Sequence, residues 1–283
     1  MRIVETLSPL RDFRREATVE DLSLGFVPTM GALHEGHLSL IRRARAECDR
    51  VVVSIFVNPL QFGPREDLSR YPRPFERDAE LCMGEGVDLL FHPSVEVMYP
   101  PSFRTEIQVR DLGQRWEGAT RPGHFQGVTT VVAKLLHQVQ PDRLYLGQKD
   151  AQQAVILSRM VLDLDFPLEA VICPTVREAD GLALSSRNVY LSPDERSQAS
   201  VLRQALQAAE TAWMRGIRDT SELNEIMVRT IGLAPLAKID YVCVVDSGEL
   251  EPVSVAEPGS LAALAVWFGT TRLIDNLILG GQP

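Results

Sequence analysis

The run Val51-Val52-Val53-Ser54-Ile55-Phe56-Val57 constrains the fold of this chain more than any other segment. Six of its seven residues are apolar and most are β-branched, which suits a strand. Polar and apolar positions do not alternate along it, so both faces of that strand must be covered. Strands of this kind belong to parallel sheets with helices on either side.

The neighbouring segments supply such a sheet. Between residues 24 and about 173, short apolar runs alternate with amphipathic ones, the grammar of α/β construction. Leu24 to Val27, Val87 to Phe91, Arg143 to Leu146 and Leu168 to Cys173 read as strands, and Gly36 to Cys48 and Phe75 to Gly84 as helices. Val128, Val131, Val132, Leu135, Leu136 and Val139 recur at the spacing of a buried helix face. From Pro93 to Gly123, prolines and glycines punctuate a long irregular excursion of the kind that often carries function. After Pro174 the pattern changes to helices from Pro193 to Arg215 and from Thr220 to about Ile231. Strands then follow at Ile239 to Val245, Leu261 to Phe268 and Thr271 to Leu277. A parallel α/β domain, 1–174, and a smaller α+β domain, 175–283, are expected, and 283 residues suit two domains at roughly 150 each.

Composition narrows the class. With 45% hydrophobic and 24% charged residues, disorder is excluded as the main state. No uncharged apolar run approaches the roughly 18 residues that cross a bilayer, so no membrane partner is expected. Charges at Arg2, Glu5, Arg11, Asp12, Arg14 and Arg15 leave no apolar secretion segment, and the cytoplasm is the expected address. A net charge of −9 argues against a nucleic-acid surface and requires local donors for any polyanionic ligand. The four cysteines form no close pair and read as reduced thiols, with no zinc or redox motif.

Four stretches offer chemistry. Pro28 to His37 runs from a strand through a loop with Gly31 and Gly36 into a helix start, where N–H groups and the helix dipole suit a phosphate chain. His34 and His37 stand three apart there, one short of the zinc-protease spacing, and they face one ligand or simply cap the helix. Asn58-Pro59-Leu60-Gln61-Phe62-Gly63 follows the buried strand at the sheet's carboxyl edge, where ligands collect. Its amides suit hydroxyls and a carboxylate, or a plain turn. Tyr145 to Gln153 places Lys149 at a strand end, in a chain where only three of 29 cations are lysines. A compact ammonium can follow a phosphate through a reaction, although a solvated lysine fits as well. In Pro174 to Asn188, Ser185, Ser186 and Arg187 supply two hydroxyls and a permanent cation suited to phosphate, or form an ordinary linker.

Taken in order, these strings, with Arg121-Pro122-Gly123-His124-Phe125 and Arg272-Leu273-Ile274-Asp275-Asn276, resemble the pantothenate synthetase family over essentially the whole chain. The ordered set is far more specific than the H-x-G-H element, which many nucleotidylyltransferases share. Gln148 stands where the family usually has Glu, and Leu184 where it usually has Met. The resemblance implies a Rossmann-like nucleotide- and pantoate-binding domain followed by a smaller lid. It implies ATP and Mg²⁺, ligation of (R)-pantoate to β-alanine through a pantoyl-adenylate, and a homodimer. By resemblance His37, His34, Lys149 and Arg187 are catalytic. ATP would be held by Met30, Gly31, Ala32, Leu33, His34, Glu35, Gly36 and His37, then Gly147, Gln148, Lys149 and Asp150, and then Val176, Leu184, Ser185, Ser186 and Arg187. Gln61 would meet pantoate and β-alanine, Gln153 pantoate, and Asn58 belongs to the same substrate site.

Other readings make different predictions. A nucleotidylyltransferase of this fold acting on a phosphate monoester would call for more cations around Asn58 and Gln61. A non-catalytic nucleotide-binding regulator would carry an impaired motif set. No protein ligand of Mg²⁺ is assigned: Asp78 is a candidate, but reads as a carboxylate on a helix surface. The strand Val51 to Val57 serves either as a dimer edge or as core.

Overall fold

The computed structural model describes residues 1–64, 66 and 68–281, leaving the last two residues of the expected second domain outside the description. Six strands form a parallel sheet: β1 (Arg2–Val4), β2 (Leu24–Thr29), β3 (Arg50–Ile55), β4 (Leu89–Phe91), β5 (Arg143–Gly147) and β6 (Glu169–Cys173). Their order is β1-β4-β3-β2-β5-β6. β3 lies between β4 and β2, so the apolar run is core and any dimer edge lies elsewhere. Val51, Val52 and Val53 are fully buried, each worth about 1.5 to 3 kcal/mol relative to exposure.

Both faces are covered, as the run requires. Val27, Val51, Val53 and Ile55 pack with Leu38, Ile41 and Ala44 of a helix at Glu35–Glu47 and with Ala79 and Cys82 of one at Phe75–Gly84. Phe26 and Val52 alternate to the opposite face. In chain order the helices are α1 (Leu7–Val19), α2 (Glu35–Glu47), α3 (Phe75–Gly84), α4 (Val95–Met98), α5 (Glu117–Thr120), α6 (His124–Val139), α7 (Ala151–Asp163), α8 (Pro193–Ala199), α9 (Val201–Met214) and α10 (Thr220–Ile231). α6 contacts both β2 and α1. β1 and α1 precede the first expected element, and Leu10, Phe13 and Ala17 form the buried stripe of α1. Among the described residues no helix is long and apolar enough to cross a membrane.

The chain divides into two compact units, residues 1–147 with 156–173, and residues 148–155 with 174 onward. The second unit holds an antiparallel sheet, β7 (Ala237–Val245), β8 (Leu261–Phe268) and β9 (Thr271–Ile278), in sequence order. Leu202, Leu206 and Trp213 of α9 and Leu223, Met227 and Ile231 of α10 pack against Leu264, Val266 and Phe268 of that sheet. The single helix expected from Pro193 to Arg215 is divided at Ser200, which ends α8 and begins α9. The α/β expectation, a parallel sheet followed by a smaller α+β unit, is borne out.

β2 has β3 on one side and β5 on the other, so the order of travel across the sheet reverses there. Ligands of open parallel sheets bind beyond the carboxyl ends of strands at such a reversal. Met30 follows the carboxyl end of β2, and Gly147 ends β5.

Candidate active site

Beyond Thr29 the backbone turns through two left-handed residues, Gly31 at φ +83° and Ala32 at φ +52°. A side chain in this region costs about 1 to 3 kcal/mol, so something must hold Ala32 there. Asp78 of α3 does so. Its carboxylate accepts the Ala32 N–H at 2.7 Å and the Leu33 N–H at 2.8 Å, and the residue is 1% exposed. The helix-surface reading of Asp78 is therefore corrected: both oxygens face the loop. Burial raises the carboxyl pKa above the usual aspartate range, although the two N–H donors oppose the rise. On the other side of the loop, the Thr29 hydroxyl donates to the Ser54 carbonyl at 2.8 Å and accepts from the Gly31 N–H at 3.1 Å.

This loop delivers His34 to the N-cap of α2. Nδ1 of His34 accepts from the Gly36 N–H at 3.1 Å, and Nδ1 of His37 accepts from the His34 N–H at 3.3 Å. The rings lie 4.1 Å apart, centroid to centroid. The three-residue spacing is thus a reciprocal cap, with His37 in the place that Glu or Gln takes in a capping box. A nitrogen that accepts carries no proton, so a neutral ring in this arrangement bears its proton on Nε2. Capping and ligand binding are compatible here, because the cap engages Nδ1 of each ring and not Nε2.

Gly36 makes room for the His34 ring. A Cβ there would stand 2.9 Å from Cε1 of His34. Gly36→Ala is expected to displace the ring and cost about 1 kcal/mol of stability, the worth of a lost cap. Turnover should fall more than that loss suggests, which melting and kinetic measurements on the same preparation would show.

After β3 a short 3₁₀ turn, Pro59–Gln61, carries two amides inward. Asn58 is 1% exposed and Gln61 8%. Asn58 Nδ2 donates to Gln61 Oε1 at 3.1 Å and to the Gly127 carbonyl at 3.0 Å, while its Oδ1 accepts from the Tyr99 hydroxyl at 2.8 Å. Gln61 Nε2 meets the thioether of Met30 at 3.0 Å, a weak acceptor that a ligand oxygen can displace. Met30 and Gln61, expected on different ligands, are therefore neighbours. A cavity of about 300 Å³ opens beside Met30, Gly31 and Asp78, walled largely by Ile55, Phe56, Val57 and Phe75.

The remaining expected residues belong to the second unit, except Glu35, whose carboxylate pairs with Arg42 on α2, and Gly147, which closes β5, both in the first. Gln148, Lys149 and Asp150 form one 3₁₀ turn, and Gln153 lies half-buried in the first turn of α7. Asn276 of β9 holds that turn: its Nδ2 donates to the Gln148 and Lys149 carbonyls, both at 2.9 Å, and its Oδ1 accepts from Gln148 Nε2 at 3.0 Å. The Gln148 side chain thus has a partner of its own. Next to Asn276, the buried Asp275 receives Arg177 in a bidentate pair at 2.7 and 3.0 Å.

Arg177 begins a small hairpin. The Leu184 N–H donates to the Val176 carbonyl at 3.0 Å, and the turn passes through Gly181 at φ +91°. Glu178 then accepts from Asn188 at 2.8 Å and from Arg196 at 2.6 Å, which fixes the approach to Ser185, Ser186 and Arg187. Ser185 caps its 3₁₀ turn by accepting the Arg187 N–H at 3.2 Å. Asp78, Asp275 and Asn276 are among the polar residues whose supporting contacts the motifs did not reveal.

Comparison with known proteins identifies the family. A family model described as pantoate-beta-alanine ligase matches residues 2–278. The pantothenate synthetase of Thermotoga petrophila is 55% identical over 99% of this chain and all of its own, and that of Pelotomaculum thermopropionicum is 54% identical over 99% of each. The crystal structure of the Thermus thermophilus pantothenate synthetase superposes with a TM-score of 0.94 at 51% identity, covering 99% of this chain and 100% of that one. A Francisella tularensis pantoate-beta-alanine ligase, complexed with beta-gamma ATP and beta-alanine, reaches 0.82 at 34% identity over 100% of this chain and 99% of its own.

Proposed function

The chain belongs to the pantoate-β-alanine ligase family, and we propose that it makes pantothenate in two steps at the residues described above. In the first, the pantoate carboxylate attacks the α-phosphorus of ATP and pyrophosphate leaves. In the second, the β-alanine amine attacks the acyl carbon, AMP leaves, and the nitrogen gives up a proton. The first step brings an anion to a polyanion, so its demands are alignment and neutralisation of charge. The observation that carries the reading is the reciprocal cap, which fixes both rings of the His34 and His37 pair through Nδ1 at a helix start whose N–H groups and dipole suit a phosphate chain.

In this reading His37 donates to the reacting phosphate with His34 beside it. Lys149, Ser185, Ser186 and Arg187 take other phosphate oxygens. Gln61 and Gln153 hold pantoate, Gln61 also reaches β-alanine, and Met30, Gly147, Val176 and Leu184 line the nucleotide. The first unit would then be the nucleotide- and pantoate-binding part and the second the lid, in a homodimer in the cytoplasm.

Mg²⁺ would screen phosphate charge. It commonly keeps several waters and binds through substrate phosphates with one or two carboxylates. Asp78 is not the carboxylate for such an ion, because both its oxygens accept from backbone N–H groups. Asp150 is paired with the Lys149 ammonium at 3.2 Å, and no protein carboxylate is assigned to the ion.

Isotope exchange between pyrophosphate and ATP, with Mg²⁺ and without β-alanine, tests the order of steps. Exchange is expected only when pantoate is added. No exchange in a folded, ATP-binding preparation would overturn the adenylate route, and phosphorylated acceptors would be the next substrates to try.

A further inference from the structure

The string Arg121 to Phe125 has no part in the steps above. It turns at Gly123, φ +84°, and places the buried His124 at the start of α6. His124 Nδ1 lies 2.8 Å from the Gln61 main-chain carbonyl, and Nε2 lies 3.0 Å from Arg121 Nη1. A carbonyl only accepts and a guanidinium only donates. Nδ1 therefore carries the ring proton, Nε2 is the acceptor, and the imidazole is neutral in one tautomer. Burial first, and the Arg121 cation second, push its pKa down to about 4, so this state persists at neutral pH.

Arg121 is itself clamped. Its Nε and Nη2 donate to the two Glu66 oxygens at 2.8 and 2.7 Å, a bidentate pair, and Glu117 lies 3.5 Å from Nη1. Nη2 also stands 3.5 Å from the Gln61 carbonyl. The same segment is gripped from α6, where a Cβ on Gly127 would fall 2.3 Å from the Leu60 carbonyl oxygen. Glycine permits that closeness, and Asn58 then ties the Gly127 carbonyl to the Gln61 side chain.

We propose that Glu66, Arg121 and His124 form a hydrogen-bonded chain that positions Gln61 for pantoate, with His124 as the positioning residue in contact with it. The proposal rests on the reading of Gln61 as a pantoate ligand. A neutral ring locked between a carbonyl and a clamped guanidinium delivers its N–H along one direction. That holds the Gln61 backbone still while the side-chain amide is free to exchange Met30 for substrate.

The test is steady-state kinetics with each of the three substrates varied in turn. His124→Ala is expected to raise the pantoate KM at least tenfold and leave the ATP KM within about twofold. His124→Asn, which can restore a donor near the Nδ1 position, should recover most of the loss. Glu66→Gln, which loosens the clamp and leaves His124 in place, should raise the pantoate KM severalfold and gives the same comparison if His124→Ala does not fold. The double variant with Gln61→Ala should bind pantoate no worse than Gln61→Ala alone, since both changes remove one device.

A common rise in all three KM values, or a fall in kcat with every KM unchanged, overturns the proposal by showing a merely structural role. Additive losses in the double variant overturn it also. If Gln61→Ala itself leaves the pantoate KM unchanged, the assignment of Gln61 fails. If Gln61→Ala raises it and His124→Ala and Glu66→Gln do not, the positioning chain fails alone.

Discussion

Replacing His37 or Lys149 with alanine is expected to lower kcat about a hundredfold, the loss of about 3 kcal/mol of transition-state stabilisation typical of one preorganised donor. Neither change should unfold the protein. His37 Nδ1 accepts the His34 N–H at 3.3 Å, and a helix cap is worth about 1 kcal/mol. Lys149 Nζ meets Asp150 at 3.2 Å in a pair open to solvent on the aspartate side, where ion pairs give about 0 to 1 kcal/mol. The Lys149 main chain is held by Asn276, independently of the ammonium. Activity and stability therefore separate at both positions. AMP release and calorimetric melting on each variant check this, and wild-type turnover in either one removes that residue from the mechanism.

That separation bears on what could be read from the sequence. β3, α3 and α10 stand close to their expected positions because each has a strong apolar pattern between clear breaks. α1 carries its own stripe of Leu10, Phe13 and Ala17, but its charged residues argued only about secretion, and β1 is too short at three residues to show a period. In the site, the residues offered to ligands lie in continuous strings and were legible as such. Their supports were not, because the partners are distant in sequence: Asp78 is 45 residues from Leu33, His124 63 from Gln61, Arg177 98 from Asp275 and Gln148 128 from Asn276.

Asp78 shows how a local explanation can mislead. It lies in the first turn of α3, where an acid is favoured by the helix dipole whatever else it does. A surface carboxylate and a buried anchor leave the same local trace. His124 poses the same problem, since a lone histidine at a helix start has several uses and only the fold supplies the carbonyl and the guanidinium on its two nitrogens.

Asp78→Ala is expected to cost roughly 1 to 3 kcal/mol for each of the two backbone donors it strands, at Ala32 and Leu33. The left-handed Ala32 then loses its restraint, and the loop that delivers His34 moves. A misplacement of about 1 Å can cost a hundredfold in rate, so kcat should fall by about that much in the fraction that stays folded. Asp78→Asn keeps the shape but has one carbonyl oxygen for two donors, so it should lie between Asp78→Ala and wild type in both readouts.

The pH dependence separates burial from hydrogen bonding. The folded-state pKa of Asp78 is raised, with burial as the main cause. An unfolded aspartate titrates near about 3.9. Below that value the protonated carboxyl keeps its full contribution to stability. As pH rises the unfolded chain ionises first, and the contribution declines until the folded carboxyl has ionised too. The stability of the wild type relative to Asp78→Asn should therefore fall as pH climbs from about 3.9, and then level off. Chemical denaturation of both proteins across that interval measures it. A difference that grows with pH would mean that the Ala32 and Leu33 donors outweigh burial, and the carboxylate would then be a stabilising anchor. The expected decline means that the site keeps its loop in a strained turn by holding a charge where burial disfavours one.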